Sequence, residues 1–185
     1  MGKLLYHSSA SLDGYIADRE GNFDFSTLDE EVHAFVNDLQ HDVGTYLFGR
    51  TMYEVMGVWE TWDTTEEPAV VQDFARIWHE RDKVVYSTTL PAPSTARTRI
   101  ERTFDPEAIR KLKAGSERNI GIGGPTLAAA ALQAGLVDEC SLFVTPHVVG
   151  GGKKYFPDGL NLRLELLEEQ RFGSGTVYLR YRVLP

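Results

Sequence analysis

Two short stretches of this sequence carry residue types in the order of an anion-binding junction. Phe48-Gly49-Arg50-Thr51 and Ile122-Gly123-Gly124-Pro125-Thr126 each read as a strand end, a glycine turn and a helix start. A helix start leaves backbone N–H groups without partners inside the helix and carries the positive end of the helix dipole. Glycine there lets the backbone approach a phosphate closely, so each junction is either a phosphate site or a tight strand–helix turn. Pro125, at the first helical position, gives up an N–H that has no partner within the helix, and removes one donor to a ligand. Arg50 adds either a cation at the first junction or a surface salt bridge. Neither stretch completes G-x-G-x-x-G or G-x-x-x-x-G-K-[ST]. A third cluster, Val149-Gly150-Gly151-Gly152-Lys153-Lys154, reads equally as a close approach to a ligand or as a loop needing positive φ.

Other chemistries find less support. Cys140 is the only cysteine; it cannot form an internal bridge, fits a reducing compartment, and in a strand reads as a small buried hydrophobe. Histidines 7, 33, 41, 79 and 147 lack the short spacing of a zinc pair, so no metal is expected. His147, beside Pro146 and the glycine cluster, reads as a loop cap or as a neighbour of a nucleotide pocket. Trp59, Trp62 and Phe156 could stack on a planar ligand or fill core and subunit contacts.

The elements that position these residues follow from periodicity. Strands are predicted at Lys3 to Ser11, Gly44 to Phe48, Lys83 to Ser87, Asn119 to Ile122, Glu139 to Thr145, Leu162 to Arg171 and Val177 to Val183. The first strand enters a loop at Asp13-Gly14, and Ile16 to Ser26 reads as irregular, its Phe23 and Phe25 closing over the core or lining a site. Thr27 with Glu30 forms a candidate capping box for a helix presenting Val32, Phe35, Val36 and Leu39 on one face. Further helices are expected over Arg50 to Val55, from Pro68 onward, from the Asp105-Pro106 cap to Lys113, and after Pro125 up to Gly135 at its C′ position. The acid-rich run Glu60 to Glu67 reads as a solvated loop, Leu90 to Pro93 as a connector, and Gly173-Ser174-Gly175 as a hairpin turn. Strands and helices alternate and then give way to strands alone, the pattern of an α/β fold with a mixed, mostly parallel sheet and antiparallel C-terminal strands.

Composition bounds the rest. The chain has 185 residues, 19 Lys and Arg against 27 Asp and Glu, and a formal charge of −8, with no basic run that could track a nucleic-acid backbone. No run of eighteen uncharged apolar residues suggests a membrane span, and the N-terminus lacks the apolar core of a signal peptide. A single cytoplasmic domain over residues 1–185 is expected, with no nucleic-acid or membrane partner.

Taken in order, these stretches resemble the dihydrofolate-reductase-like proteins, in the branch of the reductase domain of the bifunctional bacterial riboflavin-biosynthesis protein. The matching pieces are Ser11-Leu12-Asp13-Gly14-Tyr15-Ile16-Ala17, Gly49 to Glu54, Val84 to Ser87, Ile122-Gly123-Gly124, Gly135 to Glu139, and Thr145-Pro146 with Gly150 to Gly152 and Phe156. The resemblance implies a three-layer α/β/α fold around an eight-stranded sheet, NADPH across the carboxyl ends of the strands, and hydride transfer to a pterin-like or ribosylaminopyrimidine-like substrate. It implies a homodimer, and a length that fits one such domain without an attached deaminase. Carried over by position, Gly49, Arg50 and Thr51 hold cofactor phosphates, and Ser87 lies near the adenosine 2′-phosphate with Thr88 next to it. Gly123, Gly124 and Thr126 cradle the pyrophosphate, Ala10 and Ile16 flank the nicotinamide, and Asp13 lies near the substrate pocket. Asp13 and Glu30 are the candidate proton donors; Glu30 shares its helical turn with Asp29 and Glu31, all also suited to the helix dipole, and His33 lies one turn later. Thr88 departs from the family, which carries arginine or lysine there, and predicts only a modest preference for NADPH over NADH. The alternative is a nucleotide- or flavin-binding relative of the same fold without this reductase activity.

Overall fold

In the computed structural model, which describes every residue except Thr27, eight strands form one sheet and two more form a small ribbon beside it. The strands are β1 (Leu4–Ser11), β2 (Tyr15–Ala17), β3 (Val43–Gly49), β4 (Asp82–Tyr86), β5 (Thr98–Glu101), β6 (Asn119–Gly123), β7 (Glu139–Thr145), β8 (Lys153–Lys154), β9 (Arg163–Arg171) and β10 (Val177–Leu184). The helices are α1 (Glu30–His41), α2 (Arg50–Met56), α3 (Ala69–Glu80), α4 (Pro106–Gly115) and α5 (Pro125–Gln133), with 3-10 turns at Asp24–Ser26 and Gly57–Glu60. The sheet order is β5-β4-β3-β6-β1-β7-β10-β9; the first six pair in parallel, and β10 runs antiparallel to both its neighbours. This is the expected α/β architecture.

Alternation along the strands sorts side chains to two faces. Leu4, Tyr6, Leu47, Val84, Ile120 and Ile122 pack on one face beneath α4 and α5, whose Ile109, Leu127, Ala128, Ala131 and Leu132 are buried there. Tyr46, Phe48 and Val85 face the other way, against Tyr53 of α2 and Trp78 of α3. Further along that face Phe143, Phe172 and Tyr178 meet Val32, Phe35, Val36 and Leu39 of α1, the helical stripe read from the sequence. His7 of β1 accepts a hydrogen bond from Gln40 of α1 (2.5 Å), whose amide oxygen accepts from the Tyr46 hydroxyl. Burial pushes the His7 imidazole down to about 4.

Several expectations are corrected. The N-cap of α1 is Asp29, whose carboxylate accepts from the Val32 N–H at 2.8 Å; the Thr27 half of the expected capping box lies outside the described residues. Asp29 wins because one carboxylate directly at the helix start satisfies an N–H that has no partner within the helix. The run Glu60 to Glu67 does not begin in solvent: Glu60 accepts from the Trp78 indole N–H (2.9 Å) and the Ala96 N–H (2.8 Å), tying the 3-10 turn to α3 and to the chain before β5. β2 stands within the stretch that the sequence presents as irregular, and β2, β5 and β8 are each too short to show a period. The predicted Asp105 cap and the Gly135 stop are both present, the latter with φ +63° and the 5→2 and 6→1 bonds that close a helix.

Candidate active site

The parallel strands end on one edge, and their register brings the predicted residues together. Gly49 lies beside Tyr86, Phe48 beside Gly123, and Ala10 and Ser11 beside Val144 and Thr145. Ala10, Gly49, Ser87, Gly123 and Gly124 therefore share the carboxyl edge, with Arg50, Thr51 and Thr126 opening the helices that leave it. Thr88 is exposed just beyond Ser87, and Ile16 of β2 packs its half-buried side chain against the core beneath β1.

The two glycine junctions differ in detail. A Cβ added at Gly49 would meet no atom within 4 Å, and its φ of −74° is open to any residue. A Cβ at Gly123 would lie 2.7 Å from the Phe48 ring, and Gly124 has φ +91° with Met52 Cβ only 3.2 Å from its Cβ position. Packing of the protein itself thus accounts for the second pair, whereas nothing in the fold fills the space at Gly49. Beside the second junction an open cleft of about 330 Å³ is lined by Thr126, Gly152, Lys153 and Lys154 among others.

The third glycine run proves to be a clipped loop. Asp13 accepts from Ser11 Oγ (2.6 Å), Gly150 N–H (2.8 Å) and Val149 N–H (3.2 Å), so one carboxylate fastens the loop after β7 to the loop after β1. These hydrogen bonds, led by the Ser11 hydroxyl, hold the Asp13 carboxyl below its ordinary range. Gly150, Gly151 and Gly152 all have positive φ, and a Cβ at Gly152 would fall 2.1 Å from the Ala17 carbonyl oxygen. Of the two readings of this cluster, the loop geometry is the one observed. The His147 backbone carbonyl accepts from Leu12 N–H at 2.7 Å, while its ring lies 6.3 Å from that of Phe25.

The remaining candidates are spread along the edge. Arg50 donates from Nε to Glu54 (2.7 Å) and from Nη1 to Thr89 Oγ1 (2.8 Å), joining α2 to the loop after β4. Ser87 Oγ accepts from Leu90 N–H (3.0 Å) and so closes its own loop. Arg102, absent from the sequence reading, donates from Nη1 to the carbonyls of Ser87 (2.9 Å) and Leu90 (2.7 Å). Only the pairing of β5 with β4 reveals its neighbours, and no local sequence signal marks it. Glu30 is exposed at the first turn of α1, and its carboxylate accepts no hydrogen bond from the described residues. Glu31, its neighbour, instead accepts from Gly173 N–H at 2.9 Å. His33 is half-buried beside Trp59 and Phe74, and burial lowers its pKa. Among the described residues no three His, Cys, Asp or Glu side chains converge as a metal ion would require, and no helix is long and apolar enough to cross a membrane.

Known proteins share this fold. The chain is 26% identical over 181 residues to the uncharacterized Bacillus subtilis (strain 168) protein YyaP, covering 97% of this chain and 94% of that one. Its fold matches a Shewanella sp. PV-4 protein assigned by name to riboflavin biosynthesis, with a TM-score of 0.75, 19% identity and 99% of each chain covered. It also matches Enterococcus faecalis dihydrofolate reductase, crystallised with NADP(H) and RAB-propyl, with a TM-score of 0.67, 15% identity, and 100% of this chain and 98% of that one covered. The RibD C-terminal domain family matches residues 3–178. The chain belongs to the RibD C-terminal domain family, within the dihydrofolate-reductase-like fold.

Proposed function

We propose that residues 1–185 form one NADPH-dependent reductase domain that transfers a hydride to a small heterocyclic substrate, pterin-like or ribosylaminopyrimidine-like. The observation that carries this reading is Gly49: the edge has room for a ligand at a glycine that packing and backbone angles leave unexplained, beside the cation of Arg50. Family membership and the likeness to a reductase crystallised with NADP(H) support it.

The residues present fit a dinucleotide. Gly49, Arg50, Thr51, Ser87 and Thr88 would hold one end, and Gly123, Gly124 and Thr126 the phosphates between, with Ala10 and Ile16 flanking the nicotinamide. When bound, the cofactor supplies the hydride. The chain's own task is to position the substrate, exclude competing solutes and deliver a proton. Asp13 is poorly suited to proton donation, because its three donors favour the ionised carboxylate; it positions the loop over the edge instead. Glu30, whose carboxylate accepts no hydrogen bond from the described residues, is the better-placed proton-transfer group.

The domain works in the cytoplasm, where the buried Cys140, its thiol pushed up to about 12 by burial, stays reduced. It pairs as a homodimer; a sheet face with half-buried Leu142, Leu179 and Tyr181 and the exposed Leu166 is available for that contact, and sedimentation checks it. Titration of the purified protein with NADPH and NADH, followed by cofactor oxidation against a panel of pterins and ribosylaminopyrimidines, tests the reading. Saturable binding and turnover are expected; no saturable binding of either dinucleotide at millimolar concentration overturns it.

A further inference from the structure

We infer that this chain acts on a planar heterocycle bearing no phosphate or carboxylate, its ring received by an aromatic wall between α1 and the 3-10 turn after α2. The inference rests on the reductase reading proposed above and narrows the substrate class for that same site. The wall begins at the carboxyl edge. Met52 Cβ lies 3.2 Å from the Cβ position of Gly124, and Met52, Met56 and Trp59 pack against one cluster, so apolar side chains lead from the second glycine junction to the 3-10 turn. His33 meets this surface from α1, its ring 6.3 Å from that of Trp59 and 5.9 Å from that of Phe74. It follows Glu30 by one helical turn, which sets the candidate proton-transfer group and the wall on one face of α1. No hydrogen bond to the His33 ring is made among the described residues, so its nitrogens remain for the polar edge of a heterocycle. Trp62 carries the wall outward, 5.2 Å from Trp59 and 40% exposed, a free face on which a planar ring stacks. Val55 and Val58, also exposed, add apolar surface to the same turn of chain.

Charge decides what that ring carries. Between Arg19 and Arg76 the chain holds 13 Asp and Glu and a single Lys or Arg, Arg50, whereas the rest of it holds 14 against 18. The acidic stretch supplies α1, α2 and the first half of α3, the elements that frame the wall. Asp63, Glu66 and Glu67 follow Trp62 directly, and Arg50 is engaged by Glu54 at 2.7 Å. The acids are not ligands here; they set the potential through which a substrate arrives. A phosphate or carboxylate tail carried into this layer meets like charge, which salt screens only beyond about 10 Å. An uncharged ring meets no such barrier, and a cationic one gains by stacking on tryptophan.

The test compares rings that differ in their tails. Affinities for pterin, for folate, and for a ribosylaminopyrimidine with and without its 5′-phosphate are measured by calorimetry in the presence of NADPH, and NADPH oxidation is followed for each. Pterin and the unphosphorylated compound are expected to bind at least about tenfold tighter than their anionic counterparts, a gap that narrows in high salt. Trp62→Ala weakens pterin roughly tenfold while NADPH affinity and melting temperature stay unchanged. Glu66→Lys combined with Glu67→Lys improves binding of the anionic compounds alone. Folate or the phosphorylated compound binding as tightly as its uncharged counterpart overturns the inference. So does a pterin affinity that Trp62→Ala leaves intact. Dinucleotide binding without affinity for either uncharged ring overturns it too, and leaves the cofactor reading standing. Failure of both NADPH and NADH to bind is a different result, which removes the reductase reading and this inference with it.

Discussion

The strand–helix junctions at Gly49 and at Gly123-Gly124 look alike in sequence and differ in what their glycines answer to. At the second, Phe48 occupies the space a side chain at Gly123 would need, and Gly124 takes a backbone angle that L-residues rarely adopt. At the first, angle and space both admit a side chain, yet none is present. A glycine required by the protein reports on the fold; one the protein does not require points outward, to whatever lies against it. The glycine run after β7 belongs with the second kind of junction, since the contact at Gly152 is with the chain's own backbone.

Substitutions can break this contrast, and the largest effect belongs to the loop. Gly152→Ala sets a Cβ against backbone 2.1 Å away at φ +135°, and is expected to lower stability by about 3 kcal/mol or more in a urea melt. Next comes a change that bears on both junctions alike. With His7 pushed down to about 4 from an ordinary 6.5, the unfolded chain binds a proton that the folded chain refuses between those values. The stability His7 contributes is complete above pH 6.5 and is lost as the pH falls toward 4, by about 2 kcal/mol once the partial exposure of the residue is allowed for. Urea melts at pH 7.5 and 4.5 measure it, and His7→Gln should flatten the dependence without altering the ranking of the glycine variants.

Gly124→Ala should cost about 1–2 kcal/mol through its positive φ and the nearby Met52. Gly49→Ala should change stability by less than about 0.5 kcal/mol, while dinucleotide affinity falls roughly tenfold as a methyl group enters the open space. A melting temperature for Gly49→Ala that drops as far as that of Gly124→Ala would erase the contrast between the junctions.

Much of the fold could be read from the chain because its signals are local. Asp105-Pro106 caps α4 through a carboxylate two residues from the N–H it accepts, and the apolar stripe of α1 repeats within three turns. What escaped depends on partners distant in sequence. Asp13, a candidate proton donor in the sequence, accepts hydrogen bonds from Val149 and Gly150, more than 130 residues away. Glu60 looked solvated for the same reason, its partners Trp78 and Ala96 belonging to other elements. Arg102 follows a largely half-buried four-residue strand with no period to detect, and its setting exists only through the register of β5 on β4. The glycine positions were plain in the sequence, but the reason for each required a neighbour's coordinates.

The placement of β1 between β6 and β7 has a consequence for how the molecule comes into being. β1 precedes both its sheet neighbours in the chain and stays unpaired in the sheet until residues 119–145 have been made. Contacts of such long sequence separation close slowly, because the loop entropy is lost before pairing repays it. The edge that carries the candidate site, with its clasp from Asp13 to the loop after β7, is thus among the last parts of the molecule to exist.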